Sequence, residues 1–285
     1  MNYRHAFHAG NHADVLKHIA LLALIDALKR KDTPFFVLDT HAGRGRYLLS
    51  ATESRKTAEA DEGISRLMAT PALPEVVEHY LRAIQANNPV GALVAYPGSP
   101  LLAAQAMRAQ DRLGACELQP EEAAALKELF AHDRRVQVHA GNGYDSIRAL
   151  LPPRAGTEKI GRALVLIDPP YEAQDAEYPQ IIAALREILT RMPQAQCAVW
   201  YPIKQRRSLL PFFRKTAALP AKSALLAELM VRPDDSPLRL NGSGMLLLNA
   251  PWQFDQVLAP AMPVLKQHLG EKSASTRLEW LKTGD

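Results

Sequence analysis

Asp168, Pro169, Pro170 and Tyr171 follow one another in an order that suits the chemistry of an amine. Asp168 supplies a carboxylate, and its position before a proline biases its backbone towards the extended region. The two prolines fix φ and remove two N–H donors, so the corner is stiff and its carbonyl oxygens face no local donor. A carboxylate and the Pro169 carbonyl can accept the two hydrogens of an exocyclic amine while the Tyr171 ring stacks on the heterocycle that carries it. The plain alternative is a rigid turn with an incidental tyrosine. Three other places carry comparable groups. Gly43-Arg-Gly45 lets a backbone approach a ligand closely. Glu117 ends an apolar run. The Gly141-Asn-Gly-Tyr-Asp145 loop offers a carboxamide able to read the edge of an adenine, or else a simple Asn-Gly turn.

Each of these groups sits at the end of a stretch that reads as a strand. Ala163–Ile167 is wholly apolar, as in a strand buried on both faces. Phe35–Asp39 precedes the glycines, Leu113–Glu117 ends in its acid, and Val136–Ala140 leads into the Asn-Gly loop. Cys197–Tyr201, Ala224–Val231 and Met245–Leu248 are further apolar runs, and helices are expected over Pro120–Phe130 and Glu177–Met192. Strands alternating with helices predict an α/β fold with a mostly parallel sheet, and the closely spaced strands at the end predict an antiparallel edge. Ligands in such sheets bind beyond the carboxyl ends of the strands.

The chain begins with a polar and aromatic segment, after which Asn11 reads as the N-cap of a helix with Asp14 at its third position. Leu16, Ala20, Ala23, Leu24 and Ala27 follow at helical spacing. Gly43-Arg-Gly45 is expected to lead into a helix whose free N–H groups face a ligand, although Leu48 replaces the third glycine of a full dinucleotide fingerprint. Residues 50–96 then change character, rich in Glu and Ala and broken by Pro71 and Pro74. Glu117 lies far beyond the ~20 residues that separate glycines from the ribose-binding acid in a plain nucleotide-binding unit. A small helical insertion over 50–96 within a single 1–285 domain accounts for the excess. In Tyr96-Pro-Gly-Ser-Pro100, Ser99 is expected to cap a helix starting at Leu101 and to touch a ligand.

Composition excludes several classes. Of the 285 residues 47% are apolar and 22% charged, ordinary for a globular domain. No run approaches the ~18 apolar residues of a membrane span, and the N-terminus lacks the apolar core of a secretory signal. Cys116 and Cys197 read as buried thiols of a reducing cytoplasm. His8 and His12 stand four apart, but nothing completes a tetrahedral set, so no metal is expected. The net charge is +4. Basic clusters at Arg44/Arg46, Arg55/Lys56, Arg134/Arg135, Lys204/Arg206/Arg207 and Arg214/Lys215 are either an RNA surface or solvated charge.

Glycines, an acid, Asn-Gly and Asp-Pro-Pro-Tyr at four successive strand ends resemble the class I S-adenosylmethionine-dependent methyltransferases, in the branch that methylates exocyclic amines. Tyr3-Arg-His-Ala-Phe-His-Ala-Gly-Asn-His-Ala-Asp-Val-Leu-Lys-His18, Asp39-Thr-His-Ala-Gly-Arg-Gly-Arg-Tyr47 and Tyr96-Pro-Gly-Ser-Pro100 are similar to the ribosomal RNA large subunit methyltransferase J family of bacterial adenine-N6 methyltransferases. Gly244-Met-Leu-Leu-Leu-Asn-Ala-Pro-Trp252 is similar too, with Ala250 where that family carries Pro. The resemblance implies a Rossmann-like sheet and S-adenosyl-L-methionine as cofactor. Asp168 would be catalytic and adjoin the methyl donor. His18, His41 and Ser99, with Lys17 as a further contact, would line its methionine end. Glu117 would hold the ribose, and Asn142 and Gly143 the adenine. Tyr3 and Tyr171 would meet the RNA. The implied substrate is one adenine, the 2030-type site, in domain V of 23S ribosomal RNA, methylated on naked RNA by a cytoplasmic, monomeric protein without metal or membrane partners. The competing readings are, within the same class, a DNA adenine-N6 or a protein-glutamine methyltransferase and, in other classes, a metal-dependent hydrolase or a non-catalytic RNA-binding protein.

Overall fold

Asn11 opens the first helix as expected, its side-chain oxygen accepting from the backbone N–H groups of Ala13 and Asp14. In this computed structural model, which describes residues 9–49, 63–171, 174–237 and 240–284, helix α1 (His12–Lys29) is buried on almost every side. A helix with no polar face must be covered all round. One side lies on a sheet and another meets the insertion, whose Val77, Tyr80 and Ile84 join Leu16, Ile19 and Leu24 in one core. Burial of each large apolar side chain of α1 stabilises the fold by roughly 1.5–3 kcal/mol.

The main sheet has eight strands: β1 (Phe36–Asp39), β2 (Arg112–Glu117), β3 (Val136–Ala140), β4 (Ala163–Ile167), β5 (Gln196–Ile203), β6 (Ala224–Met230), β7 (Gly242–Leu248) and β8 (Ser275–Lys282). Their order across the sheet is β8-β6-β7-β5-β4-β1-β2-β3. The five strands β5-β4-β1-β2-β3 run parallel, while β7 is antiparallel to both β5 and β6. The expected mostly parallel sheet with an antiparallel edge is therefore present. The outermost strand, β8, pairs antiparallel with β6. It was not legible beforehand, because its charged, half-exposed residues lack an apolar run.

Side chains alternate between two cores. Val37, Leu164 and Leu166 face α1 and its neighbours α2 (Ser99–Ala106) and α3 (Pro120–Leu129). Phe36, Leu38, Val165 and Ile167 face α4 (Gly143–Leu150), α5 (Gln174–Arg191) and α6 (Leu210–Ala217). Chain order moves outward from β1 in one direction and then returns to β4 for the other. The switch point thus lies between β1 and β4, where ligands of open α/β sheets bind.

One expectation fails. No helix follows Gly43-Arg-Gly45; Arg46–Leu48 instead forms a strand, antiparallel to Ala95–Pro97. Its burial alternates, with Tyr47 inside and its two neighbours out, a period of two that only a distant partner could select. Between the two strands, in the stretch read above as an insertion, stand among the described residues the helices Ile64–Met68 and Glu75–Gln85. Gly98 N–H donates to Gly45 O at 2.8 Å, closing the insertion at its base. The helix N-terminus beside the glycines is consequently that of α2, supplied after the insertion.

Candidate active site

The ends of β1 and β4 bring two carboxylates to the switch point. Asp39 is buried, and its Oδ2 accepts the Ser99 hydroxyl at 2.6 Å while Oδ1 accepts the His41 N–H at 3.3 Å. Ser99 was expected to cap α2, but Gly98 is the N-cap and Ser99 the first helical residue; its hydroxyl goes to the carboxylate instead. Burial, reinforced by Asp168, pushes the Asp39 carboxyl up to about 6 against the opposing bonds from Ser99 and His41. Asp168 receives Lys17 Nζ on Oδ2 at 2.6 Å. Lys17, on α1 and only 4% exposed, also meets Asp14 Oδ1 at 2.7 Å, and Asp14 Oδ2 accepts the Gly10 N–H at 2.9 Å. Burial disfavours the Lys17 ammonium, but Asp14 and Asp168 more than offset it, so the charge is held well above the usual lysine range.

The remaining strand ends carry the nucleoside-type groups. Glu117 is fixed by Gly43 N–H on Oε2 (2.8 Å) and Gln119 N–H on Oε1 (2.7 Å), and burial raises its pKa against those two bonds. Gly43 has φ +61°, the left-handed region that glycine tolerates. Asn142 caps α4 through Oδ1, which accepts Tyr144 N–H at 2.9 Å. Gly143 must be glycine: a Cβ there would lie 1.9 Å from Thr40 O, and the close approach brings the Asn-Gly loop against the end of β1. Thr40 gives its only hydroxyl proton to Leu166 O at 2.8 Å. His41 Nδ1, 2.8 Å from Thr40 Oγ1, must therefore be the donor to that hydroxyl oxygen, which leaves Nε2 as an acceptor. Burial lowers the His41 pKa to about 4, despite Asp168 nearby, and the ring is neutral at physiological pH.

These groups enclose a cavity of about 540 Å³. Of the expected residues, His41, Ser99, Glu117, Asn142, Gly143 and Asp168 line it, together with Lys17. His18 does not: it is fully buried, and its Nδ1 lies 2.7 Å from Tyr96 OH, which meets Tyr80 OH of the insertion at 2.9 Å. One residue on from Lys17, it is turned about 100° round the helix. Tyr171 lies beside the cavity rather than on its wall, with φ +48°, its hydroxyl donating to Trp200 O at 2.6 Å and its ring edge-on to Trp200. Tyr3 and His8 lie outside the described residues. Sequence reasoning missed Leu118, Tyr144 and Glu177. Leu118 is an exposed apolar side chain on the cavity wall, and the Tyr144 hydroxyl donates to Glu177 Oε1 at 2.6 Å, joining α4 to α5. Their signal was adjacency, since Leu118 and Tyr144 each follow a residue already singled out.

The donor set suits a cationic nucleoside. A paired-oxygen acid stands ready for ribose hydroxyls, and a carboxamide and an apolar side chain flank the place for a base. At the other end are carboxylates, the His41 acceptor and one ammonium. Among the described residues no group of three His, Cys, Asp or Glu is arranged around a metal position, and no helix is long and apolar enough to cross a membrane. Both cysteines are free and buried. A family model described as "Ribosomal RNA large subunit methyltransferase D, RlmJ" matches residues 32–282. A Haemophilus influenzae protein named ribosomal RNA large subunit methyltransferase J is 41% identical over 283 residues, covering 99% of each chain. Its Escherichia coli namesake is 38% identical over 269 residues, covering 94% of each. The crystal structure of protein LPL1258 from Legionella pneumophila superposes with a TM-score of 0.85 at 34% identity, over 98% of this chain and 99% of that one.

Proposed function

The chain belongs to the ribosomal RNA large subunit methyltransferase J family, whose members take their methyl group from S-adenosylmethionine, and we propose that it methylates the N6 amine of the 2030-type adenine of 23S ribosomal RNA, on naked RNA during large-subunit maturation in the cytoplasm. The observation that carries this reading is the Asp168 corner, on the cavity wall at the switch point with Lys17 on Oδ2 and no partner on Oδ1 among the described residues.

S-adenosylmethionine supplies an electrophilic methyl on a sulfonium. Glu117 would hold its ribose hydroxyls, Asn142 and Gly143 its adenine, and His41, Ser99 and Lys17 its methionine end. An exocyclic adenine amine is a poor nucleophile because its lone pair is delocalised into the ring. Acceptors on both N–H groups, Asp168 Oδ1 and the Pro169 carbonyl, favour a pyramidal nitrogen and aim its lone pair. Much of the gain is positional, and Asp168 takes the proton that the amine releases. Lys17 fixes the carboxylate's rotation through Oδ2, and Asp14 fixes Lys17. The base must be unpaired or flipped to reach this corner. Stacking on Tyr171 would offset that cost by roughly 1–3 kcal/mol; the role of Tyr3 towards the RNA rests on the resemblance alone. The deciding test supplies in vitro transcribed 23S ribosomal RNA and labelled S-adenosylmethionine, then identifies the product nucleoside and its position. N6-methyladenosine at one site is expected. Label on another base, on the ribose, or only on a DNA acceptor overturns the reading.

A further inference from the structure

The structure separates the five basic clusters of the sequence by what their side chains already hold. Arg44 is bidentate on Glu122, with bonds of 2.8 and 2.6 Å. Arg135 is held by Asp133 and by Met107 O. Arg206 turns inward to Glu228, which is fully buried in the sheet, at 3.1 Å. Arg55 and Lys56 lie outside the described residues. Arg46 is a lone exposed cation, and Arg134 precedes β3, at the amino end of the sheet and away from the cavity. Lys204, Arg207, Arg214 and Lys215 remain, all exposed and none ion-paired among the described residues.

Arg214 and Lys215 lie on α6, and the 204–208 part of this segment is held by hydrogen bonds and leaves the sheet on the side of the Asp168 corner. Its backbone leaves β5, the strand beside β4, at the same end of the sheet as Asp168. Asn241 Nδ2 donates to Lys204 O at 2.8 Å, Arg206 N–H to Asp234 Oδ1 at 2.7 Å, and the Ser208 hydroxyl to Gln205 O at 2.7 Å. The Tyr171 hydroxyl ties the corner to β5 through Trp200 O. Of the neighbouring acids, Asp234 is taken by Arg206 N–H and Glu271 by Arg232. Among the described acids of this stretch, Asp235 is the one with no such partner. On the cavity wall, by contrast, Glu117, Glu121 and Glu177 stand beside the Arg44–Glu122 pair. A polyanion reaching Asp168 is repelled on one side and attracted on the other.

We infer that Lys204, Arg207, Arg214 and Lys215 form the phosphate track on which RNA flanking the target adenine lies; this rests on the ribosomal RNA reading above. The track fixes the approach as well as the affinity: the strand crosses the β5 side of the corner and leaves the β2–β3 side free of RNA.

The test compares Lys204→Ala/Arg207→Ala and Arg214→Ala/Lys215→Ala with the wild type and with Lys127→Ala, an exposed cation on α3. Binding of each protein to naked 23S ribosomal RNA is followed against salt, alongside S-adenosylmethionine affinity and turnover at saturating RNA. Each double variant should flatten the slope of log K against log salt by about 2, roughly 1 per phosphate contact. Affinity near 0.1 M salt should fall between about tenfold and a hundredfold. Cofactor affinity and saturated turnover should hold, and Lys127→Ala should change nothing. Unchanged slopes in both double variants overturn the track, as does an equal loss in Lys127→Ala. If the wild type methylates no adenine while the double variants still lose salt-dependent binding, the track stands and the N6 reading fails.

Discussion

Asp39→Asn should make the protein more stable at pH 8 and slightly less stable at pH 4. The Asp39 carboxyl is raised from 3.8 to about 6, chiefly by burial. The folded state therefore holds the proton more tightly than the unfolded chain. Below the unfolded value the residue is protonated in both states and imposes no penalty. As pH climbs from about 4 to 6 the penalty grows, and above 6 it is complete. A shift of about two units corresponds to about 3 kcal/mol. Asparagine abolishes that term. It keeps one acceptor oxygen for the His41 N–H, and the Ser99 hydroxyl, which now donates to Oδ2, can turn to accept from the new amide. Imperfect geometry there should cost up to about 1 kcal/mol. The net expectation is a gain of about 2 kcal/mol at pH 8, falling through zero between pH 4 and 6. Denaturant melts of both proteins at intervals from pH 4 to 8 measure the difference directly, because every other titrating group cancels to first order. A difference that stays flat with pH, or a variant less stable than wild type at pH 8, refutes the claim that Asp39 is buried as a strained anion.

Asp168→Ala should lower methyl transfer by about 10²–10⁴-fold while the protein stays folded, since Lys17 keeps its 2.7 Å bond to Asp14; turnover at the wild-type rate would remove Asp168 from the mechanism. Gly143→Ala places a methyl 1.9 Å from a backbone oxygen of β1 and should destabilise the fold by about 3 kcal/mol, with cofactor affinity falling in parallel by calorimetry. An unperturbed melt would mean the Asn-Gly loop does not pack there. Tyr171→Phe removes the bond to Trp200 O, worth about 1 kcal/mol, and should raise KM for RNA with cofactor affinity unchanged. Identical kinetics would show the ring to be held by packing alone.

The sequence disclosed what depends on near neighbours. The Asn11 cap, the acid closing β2 and the Asn-Gly loop after β3 were legible because each combines a short apolar run with a polar residue at its end. Interactions between distant residues were not. Lys17 and Asp168 stand 151 positions apart, and Ser99 and Asp39 stand 60 apart. Local rules made Ser99 a helix cap, and a buried carboxylate on another strand redirected it. Arg46–Leu48 became a strand only because Ala95–Pro97 returns to meet it across the insertion. The basic clusters looked alike in sequence because exposure and pairing are tertiary properties. Arg206 and Arg207 are consecutive, yet one neutralises buried Glu228 and the other faces solvent.

The carboxylates around the cavity follow a common logic. Glu117, Glu121, Glu122, Asp168 and Glu177 line it and Asp39 lies behind it, while Lys17 is the cation on its wall among the described residues and Arg44 pairs with Glu122. Desolvated carboxylates without full counter-charge destabilise a fold, so such a set persists where a ligand answers it. S-adenosylmethionine carries a sulfonium and an ammonium, and bound there it would offset the burial, and the smaller repulsion from Asp168 and Glu122, that raise the Asp39 and Glu117 pKa values. On the proposed reading, methyl transfer would remove the sulfonium charge, and the same carboxylates would then hold the product less firmly than the donor. On that reading the same charge distribution would favour cofactor over product and would hold a polyanionic substrate on the basic side of the Asp168 corner, the side assigned to the phosphate track.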